Sequence, residues 1–148
     1  LYAWGYNGYG SLGTSNTTNT SSPVQVGGLT TWLKVACSYY SSLALATDGT
    51  LWAWGYGGFG QLGQGNTTTY SSPVQVGALT TWLNVSAGRY HTLATTTGGK
   101  LYAWGYNDHG QLGVGNTTST SSPVQVGALT GWSTLASMSF SRESIVLF

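Results

Sequence analysis

Apolar and polar positions follow one order along the chain, repeated three times at a spacing of 50 residues. Each unit opens on LYAWGY or LWAWGY, at residues 1–6, 51–56 and 101–106. Alternation in this run puts Leu1, Ala3 and Gly5 on one face and Tyr2, Trp4 and Tyr6 on the other, which predicts a β-strand. Neither face is polar. A strand with one side in water alternates apolar with polar, so this one is expected to be covered on both sides by stacked sheets. A glycine-rich segment follows, NGYGSLG, GGFGQLG and NDHGQLG in turn, and its spaced glycines predict a loop that the NTT triplets at Asn16, Asn66 and Asn116 extend.

SSPVQVG stands unchanged at residues 21–27, 71–77 and 121–127. It predicts a short strand with Pro23, Pro73 or Pro123 near its start, where a missing donor is tolerated. Two more strands complete a unit, WLKVAC and SSLALAT in the first, WLNVSA and HTLATTT in the second. Asp48-Gly49 and Gly98-Gly99 then signal two-residue hairpins, so the last strand of one unit is expected to pair antiparallel with the first strand of the next.

The fold expected is therefore all-β, with about four short antiparallel strands per unit in the manner of propeller blades. The units run over 1–50, 51–100 and 101–148, and together they form one repeat domain. A unit of this size cannot bury a core alone, so neighbouring blades of the same or another chain must supply the rest. Trp4, Trp54 and Trp104, with Trp32, Trp82 and Trp132, recur at the period and are expected to form that core between blades. Three blades imply a partial ring, a segment of a longer propeller, or a ring completed by oligomerisation. Leu1 in place of Met, and the apolar run closing on Phe148, suggest a processed chain or a segment of a longer one.

Charge narrows the function. Charged residues are 5% of the chain, with Lys34, Arg89, Lys100 and Arg142 scattered among Asp48, Asp108 and Glu143. Such scattering makes no basic footprint for displacing counterions from phosphates, so no nucleic-acid partner is expected. Nor does an apolar run approach the roughly 18 residues that cross a bilayer, so membrane insertion is not expected. Solubility falls to Ser, Thr, Asn and Gly, a composition that points to an extracellular, cell-surface or virion setting.

Catalytic and metal chemistry find little purchase. Cys37 is the only cysteine and has Ala87 and Ser137 at its equivalent positions, so it reads as a small buried residue. His91 and His109 occupy non-equivalent places, and no two carboxylates are paired by the repeat. The glycine loop lacks the following helix that a phosphate cradle needs. No enzyme, metal or cofactor is expected. The NTT asparagines have the form of glycosylation acceptors, although turn chemistry accounts for them too.

Recognition is expected from residues that vary on the constant framework. These are Asn7, Tyr9, Thr14, Phe59, Gln64, Asn107, Asp108, His109 and Val114 in the loops, with Tyr39, Tyr40 and Tyr70 as further surface aromatics. The reading is a non-enzymatic structural or protein-interaction scaffold, with a carbohydrate-binding adhesin using Tyr9 and Phe59 as the alternative.

The stretches WGYNDHGQLGVGNTT, SPVQV and AGRYHTLATTTGG resemble repeats of the regulator of chromosome condensation family. The family's Trp-Gly followed by Gly-Gln-Leu-Gly stands as Trp54-Gly55 with Gly60-Gln61-Leu62-Gly63, and as Trp104-Gly105 with Gly110-Gln111-Leu112-Gly113. In the first unit Ser11 replaces the glutamine. A later motif matches at Gly88, His91, Thr92, Leu93 and Ala94, where the first unit has Ser38 and Ser41. The resemblance implies a β-propeller, a structural role for His91, and nucleotide exchange on a small GTPase with chromatin binding; the sparse charge argues against that activity. In the third unit SMSFSRESIVLF aligns once about two residues are inserted around Arg142 and Glu143, so its last strand is expected to pair differently.

Overall fold

The structure is a computed structural model that describes residues 1–136 and 143–147. β1 (Tyr2–Gly5) and β2 (Thr20–Gln25) form an antiparallel pair. β3 (Trp32–Cys37), β4 (Ser41–Ala46), β5 (Leu51–Gly55) and β6 (Tyr70–Gln75) form a four-stranded sheet in chain order. β7 (Trp82–Ala87), β8 (His91–Thr96), β9 (Leu101–Gly105) and β10 (Thr120–Gln125) form its counterpart, and β11 (Thr134–Leu135) with β12 (Val146–Leu147) make a closing pair. Every pairing is antiparallel, and no helix stands among the described residues.

Each four-stranded sheet straddles a boundary of the sequence repeat, because the hairpins at 48–49 and 98–99 join strands of successive units. In the first hairpin Asp48 Oδ1 accepts from both Thr50 N (3.0 Å) and Thr50 Oγ1 (2.7 Å), which holds its carboxyl below the usual carboxylate range. Asp48 is thus spent on its turn. Between β5 and β6 the ladder jumps from Ala53 opposite Val74 to Gly55 opposite Tyr70, so Pro73 sits where no ladder donor is needed.

The main core lies between the two complete sheets. Leu43, Leu45, Leu51, Leu62 and Val76 face Trp82, Ala87, Ala94 and Trp104, all buried. Trp54 is likewise 2% exposed, against Val26 and Ala44. Trp4 departs from the expected core: among the described residues no sheet packs over its ring, which is 62% exposed. Trp32 and Trp132 are half-buried. Cys37 also differs, being exposed, because β3 heads the row β3, β7, β11 while Ala87 lies in the strand between two neighbours.

The third unit keeps the antiparallel mode of its predecessors, with a displaced register. Lys34 pairs with Leu45 and Asn84 with Thr95, whereas Thr134 pairs with Leu147, two residues beyond the periodic position. The insertion thus leaves the strand pairing unchanged in kind. Ser137, Arg142 and Phe148 lie outside the described residues.

Candidate interaction surface

The loops after β1, β5 and β9 are built on buried polar side chains. Asn7 Oδ1 accepts from Leu12 N (2.9 Å) while its Nδ2 donates to Asn16 O (3.1 Å) and Thr18 O (3.2 Å). Asn107 repeats the arrangement with Leu112 N, Asn116 O and Thr118 O at 2.9, 3.0 and 3.0 Å. Both are fully buried, so the expectation that they contact a partner is corrected: they hold the loop together. In the middle unit Gly57 takes this place, where a Cβ would stand 2.0 Å from Thr68 O. The NTT asparagines close Asx turns, with Asn16, Asn66 and Asn116 Oδ1 each accepting from a threonine nitrogen two residues on at 2.9 Å.

These loops, with the β3–β4 and β7–β8 turns, carry aromatic rings to one end of the sheets. Tyr9 lies 4.6 Å from Tyr40 and 5.1 Å from Tyr56 between ring centroids. Tyr56 touches Phe59 (6.0 Å), Phe59 touches Tyr90 (4.7 Å) and Tyr106 (5.1 Å), and Tyr106 touches His109 (6.4 Å). Tyr6 joins through Tyr9, and Tyr39 bridges Tyr40 to Tyr90. The result is a continuous track of rings across all three units. Its contacts are tilted or edge-to-face, the geometry that the ring quadrupole favours. Tyr6, Tyr9 and Tyr39 are exposed and the other tyrosines with Phe59 half-buried, so the track is packed from below and open from above.

Charge along the track is sparse. Arg89 lays its guanidinium over Tyr39 and Tyr90 at 5.1 and 5.2 Å. Asp108, at the far end, accepts from Tyr106 Oη (2.7 Å). The hydrogen bond with Tyr39 pushes the Tyr40 phenol up to about 12, so it stays neutral at any physiological pH.

Of the residues expected on the surface, Tyr9, Tyr39, Tyr40, Phe59 and His109 come together in this track. Thr14, Gln64 and Val114 stand apart from it: Gln64 Nε2 donates to Val74 O (3.1 Å), and Val114 packs on the cluster of Leu93, Leu101 and Leu112. Tyr70 packs against the main core. Tyr6, Tyr56 and Tyr106 were hidden by their own regularity, since residues that recur with the framework read as core, and Tyr90 was passed over although it is the equivalent of Tyr40. The positive φ of Gly5, Gly55 and Gly105 is the signal that could have found three of them, because it breaks the strand immediately before each tyrosine.

His91 is buried against Ser144, with Nε2 3.0 Å from Ser144 Oγ. Ser144 Oγ itself donates to Gln111 O (2.6 Å). The imidazole is therefore the donor in the pair, opposite to the polarity that a base activating a serine needs. Burial lowers the His91 pKa to about 4, with Glu143 pulling weakly the other way. Gly88 leaves the ring its space, since a Cβ there would fall 2.1 Å from His91 Cε1. No cluster of three or more metal-ligating side chains exists among the described residues.

Models of the regulator of chromosome condensation repeat match residues 1–45, 48–95 and 98–139, and a second model of that repeat matches 32–61 and 82–111. Among solved structures, the chain is similar to Prp20p from Saccharomyces cerevisiae, whose binding to Gsp1p and histones has been described. That likeness has a TM-score of 0.75 at 20% identity and covers 86% of this chain and 34% of the other. Yeast RCC1 (Prp20) bound to Kap60 gives 0.76 at 21%, covering 86% and 33%. Human WBSCR16 gives 0.74 at 25%, covering 84% and 32%. The chain spans about a third of the length of each.

Proposed function

The chain belongs to the regulator of chromosome condensation repeat family, and from that premise we propose that it is a non-enzymatic protein-interaction scaffold of propeller blades, displayed on a cell surface or virion. The observation that carries the reading is the aromatic track from Tyr6 to His109, which offers a long, rigid and nearly uncharged contact surface. Tyrosine suits such a role because it gives large contact area at low conformational cost, and its hydroxyl satisfies a partner's polar groups. The polar, charge-poor composition supports the surface setting. Nucleotide exchange and DNA binding are not carried over to this chain. Mixed with a nucleotide-loaded small GTPase, or with duplex DNA at moderate salt, it is expected to accelerate no release and form no complex.

The adhesin reading has its own support, since Tyr9 and Tyr39 expose ring area that a sugar could cover. One pair of measurements separates the two. A photo-crosslinking residue placed at Phe59 is expected to give a discrete protein adduct in the source organism that the same residue at Leu129 does not. Binding of a defined glycan on an array, abolished by Tyr9→Ala or Phe59→Ala with the fold intact, would replace the scaffold with the adhesin.

A further inference from the structure

The middle of the aromatic track stands over joints that this chain supplies on both sides. Gly10, next to Tyr9, is pressed against Ser71 of β6, and Gly60, next to Phe59, against Ser121 of β10. Tyr9, Tyr56 and Phe59 follow one another over these joints at steps of 5.1 and 6.0 Å, and Phe59 passes the row to Tyr90 at 4.7 Å. Neighbouring planes are inclined by 46° to 76°, so the rings form steps and not a flat platform.

A cation is set into this row. Arg89 lays its guanidinium over Tyr39 and Tyr90 at 5.1 and 5.2 Å, and its Nε is buried with no hydrogen-bond partner among the described residues. Two of the acidic side chains are already engaged, Asp48 by Thr50 in its turn and Asp108 by the hydroxyl of Tyr106. A guanidinium donates from every nitrogen and never loses its charge, and a buried donor is costly to leave unmatched. The place therefore calls for an acceptor, preferably a carboxylate, brought by a ligand.

We propose that the track binds a proline-rich segment of a partner protein in the polyproline II conformation, with an acidic side chain of that segment on Arg89; this rests on the scaffold reading and gives the partner its chemistry. Polyproline II advances about 3.1 Å per residue and about 9 Å per three-residue turn. The two steps from Tyr9 to Phe59, 5.1 and 6.0 Å, bring successive units of the track within reach of one such turn. Pyrrolidine rings suit inclined aromatic faces, because their C–H groups beside the amide nitrogen carry the positive charge that a ring's negative face attracts. The hydrogen-bond chemistry agrees. Phenol hydroxyls and the guanidinium supply donors, while a proline-rich backbone has carbonyls, few N–H groups and no internal hydrogen bonds.

Other occupants fit less well. A sugar ring lies flat on an aromatic face, whereas these planes are tilted against one another. Nucleic acid needs several phosphate contacts, and Arg89 is the one cation on the track among the described residues. A proline-rich segment is already extended in solution, so little ordering is lost when it docks on a rigid row of rings.

Fluorescence anisotropy tests the proposal, with the protein titrated into three labelled decapeptides. The first is five prolines, a glutamate and four prolines; the second has lysine in place of the glutamate; the third is the glutamate peptide built from D-amino acids, which winds the opposite way. The first is expected to bind at least about tenfold more tightly than either of the others. Arg89→Gln is expected to erase the preference for glutamate over lysine. Tyr9→Ala, at an exposed ring whose loss leaves the fold intact, is expected to weaken both L-peptides by about tenfold. The proposal is overturned if the L- and D-glutamate peptides bind alike, if no L-peptide binds at millimolar concentration, or if the Tyr9→Ala or Arg89→Gln protein, with the parental circular dichroism, binds as the unaltered protein does. The Phe59 crosslink keeps the two readings apart: an adduct with a protein that has no proline-rich segment retains the scaffold and overturns this proposal.

Discussion

Trp104 and Trp4 stand at equivalent positions of the repeat, each within the same five residues, LYAWG. One ring is fully buried between sheets and the other is 62% exposed. The loops show the same split: Gly60 is pressed against Ser121 Cα, 2.6 Å from where a Cβ would be, whereas a Cβ on Gly110 would meet nothing within 4 Å. Identical local sequence thus has two environments, and the difference lies wholly in whether a neighbouring sheet is present. In a stacked array the energy of a residue belongs to the interface as much as to the unit that carries it.

The sharpest way to separate the two regions is to truncate both rings. Trp104→Ala is expected to lower stability by about 3–5 kcal/mol in urea unfolding. Trp4→Ala, measured at concentrations where the chain is monomeric, is expected to change it by less than about 0.5 kcal/mol. Equal effects would mean that Trp4 is covered within the single chain.

Acid sharpens the contrast between the two complete sheets. His91 in the second sheet occupies the position of Ser41 in the first, and burial holds its folded-state pKa at about 4, below the ordinary imidazole value of 6.5. Between these values the unfolded chain holds more protons than the folded one. The stability that depends on neutral His91 is therefore fully present above about pH 6.5 and is lost as pH falls toward 4, by on the order of 3 kcal/mol. His91→Ser is expected to flatten the profile in that window; an unchanged slope would assign the acid sensitivity elsewhere.

Smaller still is the difference between two glycines. Gly63 and Gly113 both have left-handed backbone, φ 72° and 66°, so alanine costs about 1–2 kcal/mol at either. Only at Gly63 does the new methyl meet an indole, which adds about 1–3 kcal/mol. The excess of Gly63→Ala over Gly113→Ala in thermal or urea unfolding therefore reads the contact of Gly63 with the Trp104 ring. A vanishing excess would show that the indole has room to give.

The strands were legible because alternation, the proline near each SSPVQV strand and the Asp48-Gly49 turn are local signals, and the hairpin partners followed from them. The two-residue displacement of the third unit was also readable from its apolar end. The candidate surface was legible only in part. Variation on a constant background picked out Tyr9, Phe59 and His109, which the fold brings into one row of rings, yet it also selected Asn7 and Asn107, which vary against Gly57 for a reason internal to the loop. Constancy misled in the other direction, since Tyr6, Tyr56 and Tyr106 recur with the framework and still face outward.

Strand number, hairpin pairing and the identity of the stacking residues are decided within some fifty residues of chain, where periodicity and turn chemistry act, and the sequence contains them in full. Burial and the joining of rings from three units into one track depend on which sheet lies beside which. Residues far apart in the chain set those contacts, as when Trp104 meets Gln61 O or Tyr39 meets Tyr90, and only the packed array brings them within reach.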